Sequence, residues 1–205
     1  MVGMSPRHST VEAARTRERI VRAAVEDASR LGLEGLTVGS LARRLGMSKA
    51  GLVGPFGSRE QLLAAALEQA GQVFRAAVTE PLEGLPPGPG RLEQLIDRWV
   101  DYLADCPFPG GCFVTAASSE LDGRPGPLRD RLREIVTSWR RRLATEIAAA
   151  QAESPGRHRP PDEVATTLIG LSMALNQEIQ LLEDPSAVPR AREAMRHAVG
   201  LAVGP

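Results

Sequence analysis

The sequence predicts an all-α chain of about nine helices, and three observations predict it. Apolar residues recur at three- and four-residue intervals in one segment after another, and no strand-like alternation occurs. Pro- and Gly-rich stretches punctuate those segments. Between Leu36 and Leu63, two short capped helices joined by a glycine turn run into a long third helix. The 205 residues allow one domain or two small ones, and a hydrophobic content of 42% can fill a core.

The Leu36–Leu63 stretch carries the clearest local signals. Thr37 can cap a helix over Val38–Leu45, and Gly46 stops it by taking a left-handed conformation. Ser48 can cap a second helix from Lys49. Ser58 can cap a third, with Gln61 in the capping-box position. This reads as a helix-turn-helix, a DNA-reading head. Charge agrees. Residues 1–60 hold nine Arg and one Lys against six acids, and the remainder holds 15 Arg against 19 acids. A basic head on an acidic body suits nucleic acid at one end only. Arginine supplies 24 of the 25 basic residues, a coding bias that gives the arginine count itself little weight.

Before the head, residues 1–9 read as a tail. Ser9 or Thr10 can cap a first helix to about Leu31, with Ile20, Ala24 and Leu31 on one face and Gly32 and Gly35 closing it. Arg15, Arg17, Arg19 and Arg22 make either a solvated face or a phosphate contact. After the head, Arg59 to about Thr79 reads as one helix with a wide apolar stripe. The four prolines of Glu80–Gly90 make a loop. Further helices are expected over Arg91–Asp105, Phe113–Leu121, Leu128–Glu153, Pro161–Glu183 and Val188–Val203. The helix over 161–183 is apolar on two sides and must bury both. One side can meet the body, and the other, with the helix over 188–203, points to a homodimer.

Other classes find little support. Cys106 and Cys112 are too few for a disulfide framework, and a thiol-redox switch at their Pro/Gly loop is the weaker alternative to two ordinary thiols. His8, His158 and His197 are scattered, so no metal site and no cofactor are expected. No run is apolar enough to span a membrane, and no signal core opens the chain, so a cytoplasmic protein is expected. No phosphate loop or nucleophile elbow occurs, and the acids lie beside arginines as on solvated helices, so no enzyme is expected.

Thr37, Val38, Leu41, Ala42, Gly46, Ser48, Lys49, Leu52, Phe56, Ser58, Arg59, Glu60 and Leu63 stand in a pattern that resembles the tetracycline-repressor (TetR) family of bacterial transcription regulators. The likeness covers about a quarter of the chain, through a long pattern. It implies an N-terminal three-helix helix-turn-helix DNA-binding domain, residues 1–57 with the tail. A C-terminal helical ligand-sensing and dimerisation domain, residues 58–205, would follow. Its implied partners are an operator in double-stranded DNA, a small-molecule effector and a second copy of the chain. With only seven aromatics no large aromatic cage is expected, and an apolar pocket of moderate size, for a largely apolar effector, is the better expectation. Binding of the effector would release the DNA.

Helix N-termini make Thr37, Val38 and Ser48 phosphate candidates. Lys49 can reach phosphate or a guanine edge. Ala50 and Val53 can meet thymine methyls, with Gly54 beside them. Arg59, by resemblance, clamps phosphate. Leu41, Leu45, Leu52 and Phe56 read as core. The chain departs from the family at Val53 and Pro55, where Tyr and His are usual, and at Asp27-Ala28, where Leu-Phe is usual. Neither Val53 nor Pro55 can donate a side-chain hydrogen bond. Gly51, Gly54 and Pro55 are all unfavourable to helix, so the recognition helix should be short and distorted at its end, with few polar tips and modest DNA affinity. Asp27 either pairs with an arginine or faces water. Effector candidates are Phe74, Trp99, Tyr102, Leu103, Phe113, Trp139, Met173, Asn176 and Gln177, each of which could instead be core or, for the two amides, dimer interface. An activator, or a helical dimer acting through protein contacts with weakened DNA reading, stays open.

Overall fold

The computed structural model describes residues 6–200, with side chains from residue 10. The described residues contain nine helices and no strand. They are α1 (Pro6–Gly35), α2 (Val38–Leu45), α3 (Lys49–Val53), α4 (Arg59–Phe74), α5 (Pro89–Ala104), α6 (Phe113–Leu121), α7 (Pro127–Ala152), α8 (Pro161–Gln180) and α9 (Ala187–Ala198). A π turn, Arg75–Thr79, and a 3₁₀ turn, Glu80–Leu82, follow α4. No described helix is long and apolar enough to cross a membrane.

The expected bounds of α2 and α6 are those observed. α5, α7 and α8 each open on a proline, which loses no helical hydrogen bond in a first turn. Several expectations need correction. Helix α1 begins at Pro6 rather than at a Ser9 or Thr10 cap. The first five residues of the expected tail and residues 201–203 of the last expected helix lie outside the described residues. Both C-terminal helices end early: α8 stops at Gln180 rather than Glu183, which takes a positive φ of 50°, and α9 stops at Ala198. Leu31 is 59% exposed rather than core. The chain breaks helix at Gly32 (φ 75°, ψ 167°), and Leu33 and Leu36 take the buried positions instead. The helix from Arg59 does not stay α-helical to Thr79. Pro81 has no N–H to offer Ala77, and ahead of it the chain widens, the Glu80 N–H donating to Arg75 O.

The backbone divides into two compact units. The first runs to Ala70 and includes Phe108–Arg131; the second comprises Gly71–Pro107 and the chain from Leu132. In the first unit, Ile20, Ala24, Leu36, Leu41, Leu52, Leu62, Ala66 and Leu67 form a sealed core. Leu45 and Phe56 are half-buried. Arg44 ties α2 to α1 by ion pairs to Glu26 and Asp27, and a further bond runs to Ala23 O. Asp27 is therefore paired. Helix α6 lies on the end of α1 within this unit.

In the second unit, α5, α8 and α9 pack together. Arg192 of α9 bonds Asp97 (2.9 Å) and Asp101 (2.6 Å) of α5, and Arg196 bonds Asp97 (2.7 Å) and Glu93 (3.1 Å). At the α8–α9 turn, Arg190 and then Ser186 hold the Asp184 carboxyl at about 2, below the usual range. Glu146 of α7 corrects the view of the acids as merely solvated. It is 4% exposed and bonds Arg91 of α5 at 2.5 Å.

Candidate nucleic-acid interface and effector site

The reading head is built by its caps. Thr37 Oγ1 accepts the Ser40 N–H at 3.1 Å, Ser48 Oγ accepts that of Gly51 at 3.0 Å, and Ser58 Oγ accepts that of Gln61 at 3.1 Å. Gly46 (φ 65°) closes α2, its N–H donating to Ala42 O and Arg43 O. Each bond satisfies a helix-end group that burial or dehydration at DNA would otherwise leave unpaired. Val38 is half-buried at the first position of α2.

Helix α3 is five residues long. Turns continue it, Gly54 N–H to Ala50 O and Phe56 and Gly57 N–H to Val53 O. Lys49, Ala50 and Gly54 are exposed on it, Val53 is half-buried, and Leu52 is sealed inside. The Lys49 stem lies over α2, where a Cβ at Gly39 would stand 3.5 Å from Lys49 Cε. Glycine at that position leaves room for the lysine to cross α2 and keep its ammonium at the surface.

Helix α1 supplies a second rim. The Arg17 guanidinium stands 4.9 Å from the centroid of the Phe56 ring, a cation–π contact. Arg19 reaches Met47 Sδ at 3.6 Å. Glu12, Ala13, Ala14, Thr16 and Arg17 line an open groove of about 760 Å³ with Gly54 and Pro55. The small residues at 54 and 55 leave that groove unfilled.

Arg59 has a task the sequence did not show. Its Nη2 donates to Leu33 O (2.7 Å) and Leu36 O (3.0 Å), and its Nε donates to Leu36 O (3.1 Å). A guanidinium thus sits on the carbonyls at the end of α1, favourable for a cation there. Glu120 of α6 is the other residue that sequence reasoning missed. Its carboxylate accepts the N–H groups of Leu33 and Glu34, each at 2.7 Å. No local signal marks it, because its partners lie 86 and 87 residues away.

The effector candidates divide. Phe74, Trp99, Tyr102 and Trp139 come together in the second unit. Phe74 stands edge-on to Tyr102 (5.1 Å) and to Trp139 (4.9 Å), and Trp139 edge-on to Trp99 (4.9 Å). Trp99, Tyr102 and Leu103 are buried, while Phe74 and Trp139 are half-buried and form the open edge of the cluster. Phe113 belongs to the first unit, 6.2 Å from Phe108. On α8, Asn176 is half-buried, Gln177 is exposed and Met173 is 45% exposed. Met173 and Gln177 share an open stripe with Gly170 and Ala174. Among the described residues, no group of three or more His, Cys, Asp or Glu is placed to hold a metal ion.

A capped helix-turn-helix joined through α4 to a helical body defines the class, a helical DNA-binding transcription regulator. The pattern described as "Bacterial regulatory proteins, tetR family" matches residues 20–66, and that described as "Tetracyclin repressor-like, C-terminal domain" matches residues 88–195. The chain belongs to the TetR family. A TetR regulator from Chloroflexus aurantiacus is 24% identical, with a TM-score of 0.80 over 92% of this chain and 94% of that one. A transcriptional regulator from Saccharomonospora viridis, solved with choline, is 20% identical, with a TM-score of 0.74 over 90% and 95%. AibR, solved with isovaleryl coenzyme A and operator DNA, is 19% identical, with a TM-score of 0.70 over 88% and 96%. These likenesses establish a shared fold. No curated protein matches the sequence.

Proposed function

We propose that the chain is a homodimeric, cytoplasmic transcriptional repressor that leaves its operator when a largely apolar small molecule binds the helical body. Residues 1–57 carry the reading and residues 58–205 the sensing and dimerisation. One observation carries the reading. Phe74, the last α-helical residue of α4, lies at the open edge of the aromatic cluster, while Arg59 at the other end of α4 is bonded into the head. A ligand against Phe74 and Trp139 acts on a helix that already runs into the head, next to a π turn where the backbone can change register. Such a ligand releases DNA only if it favours the arrangement that DNA does not. The complexes of the two similar regulators with choline and with isovaleryl coenzyme A support a small-molecule effector.

At the DNA, Lys49 and the helix starts at Thr37, Val38 and Ser48 take phosphate, and Ala50, Val53 and Gly54 face the bases. Arg17 adds a phosphate contact from α1, with the Phe56 ring holding its guanidinium in place. The test is binding to the DNA upstream of its own gene, compared with random DNA at physiological salt. A specificity ratio near one would sink the repressor reading and favour action through protein contacts. Arg17→Ala should weaken binding to all sequences and reduce the slope of log K against log salt by about one. An unchanged slope removes Arg17 from the interface.

Dimerisation through α8 and α9 rests on the stripe of Gly170, Met173, Ala174 and Gln177 and on Leu181, which is 71% exposed. Gly170 has nothing within 4 Å of a Cβ. Gly170→Ala should therefore stabilise the monomer by about 1 kcal/mol through helix propensity. The same methyl should raise the dimer dissociation constant, measured by sedimentation, because it meets the second copy. A dimer no weaker than wild type would place the interface elsewhere.

A further inference from the structure

Gly32 interrupts α1, and the following turn, Leu33–Gly35, leads directly into α2. The backbone groups at such a break must find partners outside their own helix. They find them on two sides. The Glu120 carboxylate receives the Leu33 and Glu34 N–H groups, an anion at the start of the turn. The Arg59 guanidinium covers the Leu33, Glu34 and Leu36 carbonyls, a cation at its end. The fit with Glu120 is close, since a Cβ at Gly32 would stand 3.0 Å from its Oε2. Two further contacts hold the same stretch. Arg124, just beyond α6, pairs with Glu34, and Gly110 packs directly on Ser29, with its N–H 3.4 Å from Ser29 Oγ.

We propose that Glu120 is a positioning residue for DNA reading. Its carboxylate sets the angle at which α2 and α3 leave α1, and it carries α6 with the head as one piece. The inference rests on the DNA-reading function above. Glu120 acts through the backbone, its two carboxylate oxygens accepting the Leu33 and Glu34 N–H groups. It fixes the two amides whose direction determines where the chain enters Thr37, the cap of α2. α6 is connected through Pro107–Phe108 to the chain of the second unit and through α7 back into it. The residue that orients the reading helices therefore sits on the segment of the C-terminal chain that belongs to the head.

The experiment compares wild type, Glu120→Ala and Glu120→Gln in the full-length protein. Hydrogen exchange reports on the Leu33 and Glu34 amides, and DNA titrations use the region upstream of its own gene alongside random DNA. Glu120→Ala should speed exchange at these two amides and cost about tenfold in affinity for the upstream DNA, the scale of a lost charge-assisted bond. Affinity for random DNA and the salt slope should stay at wild-type values, because the phosphate contacts remain. Glu120→Gln keeps one accepting oxygen and should fall between the two. A folding defect would lower both affinities together and would overturn the proposal. So would unchanged exchange, or faster exchange with full affinity and specificity. Absence of specific binding by wild type would remove the DNA reading itself and the proposal with it; specific wild-type binding beside an unaffected variant removes the positioning role alone.

Discussion

Replacing Glu146 by alanine should lower unfolding stability by about 3–5 kcal/mol, the range for breaking a buried ion pair from one side. Glu146 is sealed in the second unit with its carboxylate on Arg91, and Arg142 lies 3.9 Å away along the same helix. The Nε atoms of both arginines are buried without a hydrogen-bond partner. Arg91 is further tied to Leu85 O at 3.0 Å, so it cannot swing out without giving up that loop. Removing the carboxylate leaves positive charge in a poorly solvated place. Glutamine keeps an acceptor and should cost less. A urea melt with an unchanged m value reads the difference directly. A loss under about 1 kcal/mol would mean that water reaches the pair freely and that it behaves as a surface bridge.

Gly110→Ala should cost about 3 kcal/mol or more, from steric contact alone. An ideal Cβ there lies 1.6 Å from Ser29 O and 2.5 Å from Ser29 C. These are backbone atoms of α1, so no side chain can turn aside. Either the Phe108–Cys112 loop lifts or the end of α1 shifts. At about 2–4 °C per kcal/mol for a chain of this size, the melting midpoint should fall by about 6–12 °C. Gly123→Ala is the control, because nothing lies within 4 Å of its Cβ. Equal melting of the two variants would show that the loop does not rest on α1 in solution.

Much of the fold was legible because helix signals are local. Thr37, Gly46, Ser48 and Ser58 mark their helix ends through bonds to residues three or four positions away. The same is true of the apolar faces of α5 and α7, whose periodicity put Trp99 in the core and Trp139, half-buried, at its open edge. Where the sequence misread an end, the cause was again local but subtler. Pro81 widened the turns before it, and Gly32 broke α1 where the apolar spacing to Leu31 still looked helical. The candidate site was legible in part. The reading head and four of the aromatics stand in coherent groups. Phe113 stands with Phe108, because the Cys106–Cys112 loop carries α6 into the first unit.

The sequence by itself determined the class of structure, the caps and glycine stop of the reading head, and the shortness of α3. Each depends on residues within one or two turns of one another. The tertiary structure alone decided the partners of the charged groups. It gave Asp27 and Glu26 to Arg44, Glu146 to Arg91, and the break at Gly32 to Glu120 and Arg59. A charge on a helix surface has the same local pattern whether it faces water or a partner 87 residues away. Its role is fixed only when the chain closes and the cost of leaving a backbone or ionic group unpaired must be met.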